Sequence, residues 1–204
     1  MSASPWLTPV TLSGNHVELI PLAAEHADAL VEAATDGELW NLWFTSVPNA
    51  DSVKAYIDTA LQQQQQGLAL PFVVVEKTSG QIIGSSRYCN VDNKNQRLEI
   101  GYTWYARRCQ RTPVNTEAKL LLLTHAFEQC GAIAVEFRTH WHNQASRAAI
   151  ARLGAKQDGV MRNHQRMADG SLRDTVVFSI IESEWPGVKT GLRHKLKYRP
   201  VIAG

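Results

Sequence analysis

The stretch Cys109–Lys119, CQRTPVNTEAK, follows the alternating run LEIGYTWY of 98–105 and opens the leucine-rich run LLLLTHAFEQCG of 120–131. Strand, short basic loop, helix start is an order that suits phosphate, because a helix N-terminus offers unpaired N–H groups and a positive dipole end. Loops that hold phosphate usually carry glycine, so that bare backbone reaches the anion. Here Pro113 stands in that place, and proline has no N–H. The other reading is an ordinary helix entry, with Thr112 as N-cap and Pro113 at the first helical position. The two are compatible. First-turn N–H groups have no helical partner in any case, so the proline removes at most one donor of several. Arg107, Arg108 and Arg111 add positive charge beside the helix start.

Outward from this stretch, periodicity places the other elements. HVELIPL (16–22), LPFVVVE (70–76) and AIAVEFRTHW (132–141) read as strands. SGQIIGSSRYCNV turns at Ser79-Gly80 into a hairpin partner, and QDGV…IIESEW (157–185) reads as two strands about Asp169-Gly170. Helices are expected over Ala24–Thr35, from an Asp51 cap to Gly67, from Pro113 to Gln129 with Gly131 as the stop, and from Asn143 to Leu153 closed by Gly154. Strands and helices mix without regular βαβ alternation. The fold class is therefore α/β of the mixed α+β kind, with one sheet and helices on both faces.

At 204 residues, 44% hydrophobic and 20% charged, the chain is expected to be one globular domain over 1–185 with a basic tail over 186–204. The tail holds Lys189, Arg193, Lys195, Lys197 and Arg199 and no acid; with +2 overall, the remainder is −3. A tail of that kind is a solvated end or a contact for RNA, ribosome or an acidic partner. No apolar run is long enough for a membrane span, and MSASPWLTPV lacks the basic start and apolar core of a signal peptide. Cys89, Cys109 and Cys130 are odd in number and lack C-x-x-C spacing, which favours a reducing, cytoplasmic compartment.

Three groups of residues carry candidate chemistry. On the strand 98–105, alternation puts Leu98, Ile100, Tyr102 and Trp104 on one face and Glu99, Gly101 and Thr103 on the other. Gly101 permits close approach of a ligand or backbone. Glu99 beside it is either a general base or a surface acid paired with Arg97 or Arg87. Asn143 is a helix cap, with Ser146 three residues on. His140 and His142 share a strand face but have no third ligand at a telling spacing, so no metal site is expected. Trp40 and Trp43 are either core or the wall of a substrate groove.

Together, EIGYTWY, QRTPVNTEA and NQASRAAIARLGA resemble the GNAT superfamily of acyl-CoA-dependent N-acetyltransferases, and within it the Rim-type branch that includes ribosomal-protein N-terminal acetyltransferases. The family's phosphate loop, Gln/Arg-x-x-Gly-x-Gly/Ala, aligns on Thr116-Glu117-Ala118 with Gln110 first, Pro113 at the glycine and Asn115 at the last small residue. The later Asn-x-x-Ser and its helix match Asn143, Ser146 and Gly154-Ala155. The resemblance spans roughly His16 to Trp185.

The resemblance implies a mostly antiparallel twisted sheet with helices on both faces, and acetyl-CoA as acyl donor. Its pantetheine would lie along Ile100, Tyr102, Thr103 and Trp104, and Asn143 would hold the arm. Its pyrophosphate would sit on Gln110, Arg111, Thr112, Val114, Asn115 and Thr116, the amide of Asn115 supplying a donor for the one lost at Pro113. Glu99 is the implied base and Ser146 the proton donor to the departing thiolate. The partner is an amine acceptor of unassigned identity: a small molecule or a protein N-terminus. The family's habit allows a homodimer; no membrane or nucleic-acid partner is expected. The alternative is a GNAT-fold acyl-CoA-binding or regulatory protein, weakened in catalysis by Pro113 and Asn115 and touching RNA or ribosome through its tail.

Overall fold

The computed structural model describes residues 6–167 and 169–198. In chain order the elements are β1 (Leu12–Ser13), β2 (Val17–Pro21), α1 (Ala27–Thr35), α2 (Val53–Gln65), β3 (Leu70–Glu76), β4 (Ile82–Asp92), β5 (Arg97–Tyr105), α3 (Pro113–Thr124), β6 (Ala134–His140), α4 (Gln144–Leu153), β7 (Lys156–Arg166), β8 (Leu172–Ile181) and α5 (Trp185–Lys197). The strands form one sheet in the order β1-β2-β3-β4-β5-β6-β8-β7. Every neighbouring pair is antiparallel except β5 and β6, which run parallel.

Helices cover both faces. The phenol of Tyr88 on β4 donates to the Leu122 carbonyl of α3 at 2.6 Å. Its neighbour Arg87 points the other way, donating to Gln63 of α2 and lying over Tyr56. Adjacent residues of a strand face opposite sides, so α3 and α2 flank the sheet. The core between them is aliphatic and aromatic, with Val17, Leu19, Phe72, Val74, Leu98, Leu122 and Leu123 buried.

Three expectations change. The cap expected at Asp51 falls at Ser52, because the side chain of Asn49 accepts both the Asp51 and Ser52 N–H groups and carries the turn one residue further. The segment read as a basic tail is mostly helix: α5 packs on α3, with Leu192 buried and Trp185 stacked on Phe127 at 5.3 Å. Its apolar residues Trp185, Val188 and Leu192 recur at helical spacing, and two of the cations are tied into the fold beside that stripe, Lys189 to the Glu128 carboxylate and Lys195 to the Arg152 carbonyl. Arg199 lies outside the described residues. The third change is in β5. Gly101 faces Arg87 and Trp104 faces Ser85, so Tyr102 and Thr103 together oppose Ser86 alone. Tyr102 takes the extra residue's left-handed backbone, φ 51°. The bulge shifts the phase by one. Tyr102 and Trp104 join the face of Glu99 and Gly101, and Thr103 joins Leu98 and Ile100.

Candidate active site

The bulge sits where the sheet divides. β5 and β6 pair only at Arg97↔Ala134, Leu98↔Val135 and Glu99↔Glu136. Beyond Glu99, β5 keeps its outer partner β4 as far as Tyr105, and β6 keeps β8 as far as His140. Both lose each other. The result is a wedge with two unpaired inner backbone edges, and an extended chain bearing amides can fill such an edge. Of the strand residues expected here, Ile100 is buried, Tyr102 is turned out over the Arg87 guanidinium at 4.1 Å, and Trp104 is buried with its indole N–H unpartnered. Thr103 is tied down from behind. Its hydroxyl is 2.8 Å from Ser86 and receives the ammonium of Lys119 at 2.5 Å.

At the wedge's closed end stands Glu99, 7% exposed. Asn90 donates to it at 2.7 Å and Arg138 lies 3.4 Å away. Burial pushes its pKa up, with the Asn90 bond and the Arg138 charge pulling the other way. A cleft lined by Asn90, Arg97, Glu136 and Arg138 reaches it, so a proton taken there has a polar route to solvent.

The helix entry near the wedge is built as Thr112 and Pro113 dictate. Thr112 caps α3, accepting from the Val114 N–H at 3.3 Å and donating to the Cys109 carbonyl at 2.6 Å. Arg111 before it is left-handed, φ 58°. Proline has no N–H and the cap takes Val114's, so the first turn offers the N–H of Asn115. Thr116 is buried, its hydroxyl accepting from Arg152 of α4 at 3.2 Å, and the amide of Gln110 donates to the Tyr105 carbonyl at 3.1 Å. Beyond β6, Asn143 caps α4 through the Ser146 N–H at 3.0 Å, leaving Ser146 half-buried on its first turn.

The face of Glu99 continues across the sheet. Glu136, Arg138 and His140 of β6 follow at alternate positions, and Thr175 of β8 is His140's partner in register. Trp43, in the loop after α1, lies edge-on to His140 with ring centroids 4.8 Å apart, and Phe44 is beside it. Trp43 is 56% exposed while Trp40 is half-buried against the core. Among the described residues no group of three His, Cys, Asp or Glu is placed to hold a metal ion.

Sequence reasoning passed over Lys119. It carries a signal all the same: it lies four residues before Leu123 and seven before Ala126, on the stripe α3 buries. It also passed over Arg173, for which strand alternation gives no functional cue.

The family model described as an acetyltransferase (GNAT) domain matches residues 16–156. The uncharacterized N-acetyltransferase p20 of Bacillus licheniformis is 26% identical over 182 residues, covering 87% of this chain and 99% of that one. A crystal structure of a GCN5-related N-acetyltransferase from Brucella melitensis is 30% identical with a TM-score of 0.85, over 94% of this chain and 87% of that one. The Mycobacterium smegmatis RimJ, solved in complex with CoA-disulfide, shares the fold at 22% identity and a TM-score of 0.76, over 91% and 94% of the two chains.

Proposed function

The chain belongs to the GNAT acetyltransferase family, and from that premise we propose that it moves acetyl from acetyl-CoA to a primary amine by direct attack in a ternary complex. The observation that carries the reading is the wedge between β5 and β6. Its unpaired edge along Ile100–Trp104 suits the two amides of pantetheine, and the α3 entry suits the diphosphate. Arg111, the cap region of Thr112, Val114 and Thr116, and above all Asn115 hold that diphosphate. Asn115 offers both a backbone N–H and a side-chain amide where Thr112 has committed its hydroxyl to Cys109 and Val114. Gln110 braces the loop against β5, and Asn143 at the wedge's open end steadies the pantetheine.

The amine must be neutral to attack. A lysine-like amine of pKa ~10.4 costs roughly 4–5 kcal/mol at neutral pH, and an α-amine near ~8 about 1–1.5 kcal/mol. Glu99 takes the amine's proton through water and passes it to the polar cleft beside it. As the N–C bond forms and the C–S bond breaks, a backbone N–H at the Gly101–Tyr102 bulge faces the developing oxyanion, and Ser146 gives the thiolate its proton.

Titration calorimetry tests this. Acetyl-CoA at a hundred times its Kd should also raise stability by about 2.7 kcal/mol. Glu99→Gln should leave that affinity unchanged, lower kcat by roughly 10²–10⁴-fold and erase the acidic limb of the pH–rate profile. That limb should lie above the ordinary carboxylate range, since burial raises Glu99. No heat with millimolar acetyl-CoA overturns the reading. Asn115→Ala should weaken acetyl-CoA binding severalfold at unchanged Tm in its absence; an unaltered Kd would remove Asn115 from the diphosphate site.

A further inference from the structure

Beside the wedge, on the face of Glu99, two cationic or donor groups have no counterpart. His140 is 3% exposed. Its Nδ1 accepts the His142 backbone N–H at 3.1 Å, so the neutral ring carries its proton on Nε2. That Nε2–H is buried and has no partner among the described residues. Burial holds the ring neutral by lowering its pKa, with Arg173 and His142 adding to the effect and Asp174 opposing it. A buried donor left unpaired costs about 1–3 kcal/mol, and a ligand acceptor removes that cost.

Arg173 is next to it. Its Nε donates to Thr175 Oγ1 at 2.9 Å, and Thr175 is the cross-strand neighbour of His140. The rest of the guanidinium meets no carboxylate in an ion pair among the described residues, in contrast to Arg138, which is held by Glu136 and Glu99. Arg173 is half-buried and lies on the sheet face shared by His140 and Glu99, just past the wedge's open end. Over His140, Trp43 and Phe44 make an aromatic wall, with Trp43 more than half exposed.

We propose that the acceptor is an amino acid-like amine whose carboxylate is seated by Arg173 and the His140 Nε2–H, and whose apolar side chain lies on Trp43 and Phe44. This rests on the acetyltransferase reading and names the substrate class of that same site. A carboxylate matches a guanidinium fork bidentately and a buried N–H besides. The same molecule's amine is then turned toward Glu99. The amine nitrogen bonds to the acetyl carbon, the thioester C–S bond breaks, CoA leaves as the thiol, and one amine proton passes to Glu99 and on to solvent. A polyamine would set cation against Arg173, and a protein N-terminus would bring a neutral amide to a seat that offers a full positive charge.

The experiment compares L-phenylalanine and L-leucine with their amides, with phenethylamine and with a short peptide of free N-terminus, by CoA release under saturating acetyl-CoA. The free amino acids should lead the panel by about 10–100-fold in kcat/KM. Arg173→Gln should remove that lead while changing phenethylamine turnover less than about threefold. Arg173→Lys should recover part of it, and His140→Asn should weaken it while changing phenethylamine turnover less than about threefold. Should acetyl-CoA bind and the amides or the peptide match the free acids, the substrate class is wrong and the acetyltransferase stands. Uniform losses in Arg173→Gln across the panel also overturn it. If acetyl-CoA binds and nothing turns over, calorimetric binding of N-acetylphenylalanine against its amide in the CoA complex reads the same preference, and equal or absent binding overturns it. If acetyl-CoA itself does not bind, both readings fall.

Discussion

Glu117→Ala is expected to destabilise the protein by about 3–5 kcal/mol, a large part of what holds a domain of this size folded. Glu117 lies in the alignment anchor Thr116-Glu117-Ala118, yet what it touches is the start of the chain. Its carboxylate accepts the backbone N–H groups of Asn15, His16 and Val17 at 2.9, 2.6 and 2.8 Å, and the residue is 4% exposed. Hydrogen bonds to a charged group contribute about 1.5–3 kcal/mol each, and the donor left behind at Val17 is buried. The same contact explains Gly14: a Cβ there would lie 2.5 Å from the carboxyl carbon, so only glycine lets the turn between β1 and β2 close over Glu117. Urea unfolding should show a lower midpoint at unchanged m-value. Glu117→Gln should lose less, about 2–3 kcal/mol, since one oxygen remains and the amide nitrogen faces donors. Because this bond fastens α3 to β2, affinity for acetyl-CoA should fall in Glu117→Ala as well. A loss below about 1 kcal/mol would mean that the turn's N–H groups hydrate freely and that α3 is held by its apolar stripe alone.

Features set by neighbours in sequence were legible. Thr112-Pro113 starts α3, Asn143 caps α4, and Gly154 ends it in the left-handed conformation at φ 104°. Each is a local contest between a side chain and a few backbone groups, and residue type settles it. What depended on contacts across the sheet was hidden. The bulge in β5 has an aromatic residue at positive φ, with the glycine one place earlier, so turn chemistry points to the wrong position. It is held from outside the strand, by the Arg87 guanidinium on Tyr102 and by Ser86 and Lys119 on Thr103. Charge misled in the same way. Five cations read as a solvated tail, while the burial of Leu192 and Trp185 against α3 decided the matter. Sequence offers His140 only as a metal ligand, because its isolation under Trp43 exists only once the loop after α1 has folded over β6.

Lys119→Met is expected to make the protein more stable and the enzyme slower. The lysine is 4% exposed, and its ammonium meets only two hydroxyls, Thr103 at 2.5 Å and Ser86 at 3.3 Å. Among the described residues no carboxylate neutralises it in an ion pair. Burial therefore lowers its pKa from 10.5 to about 7, with a weaker upward pull from Cys89. In the unfolded chain the amine titrates at its ordinary value, so between about 7 and 10.5 the unfolded state holds a proton that the folded state has released. Stability contributed by this group consequently rises with pH across that window, and below about pH 7 its full penalty, on the order of 4–5 kcal/mol, is in force. Methionine has nearly the same length and no charge. It forfeits two hydrogen bonds, about 1 kcal/mol each, but Ser86 and Thr103 still bond to each other at 2.8 Å and are not orphaned. The gain over the parent should be about 2–3 kcal/mol at pH 6 and should shrink to nothing or reverse near pH 10.5. Taking mutant minus parent at each pH cancels the other titrating groups. The fold would keep so costly a residue only for what it does to the bulge, whose Thr103 it grips from behind while Tyr102 is held left-handed. Turnover should therefore fall in Lys119→Met, with kcat dropping more than KM rises, because the backbone N–H groups at Gly101 and Tyr102 lose their fixed aim. A stability difference that does not vary with pH would show that the amine stays solvated in the folded state. Unchanged kcat alongside a real gain in stability would show that the bulge keeps its shape without the lysine.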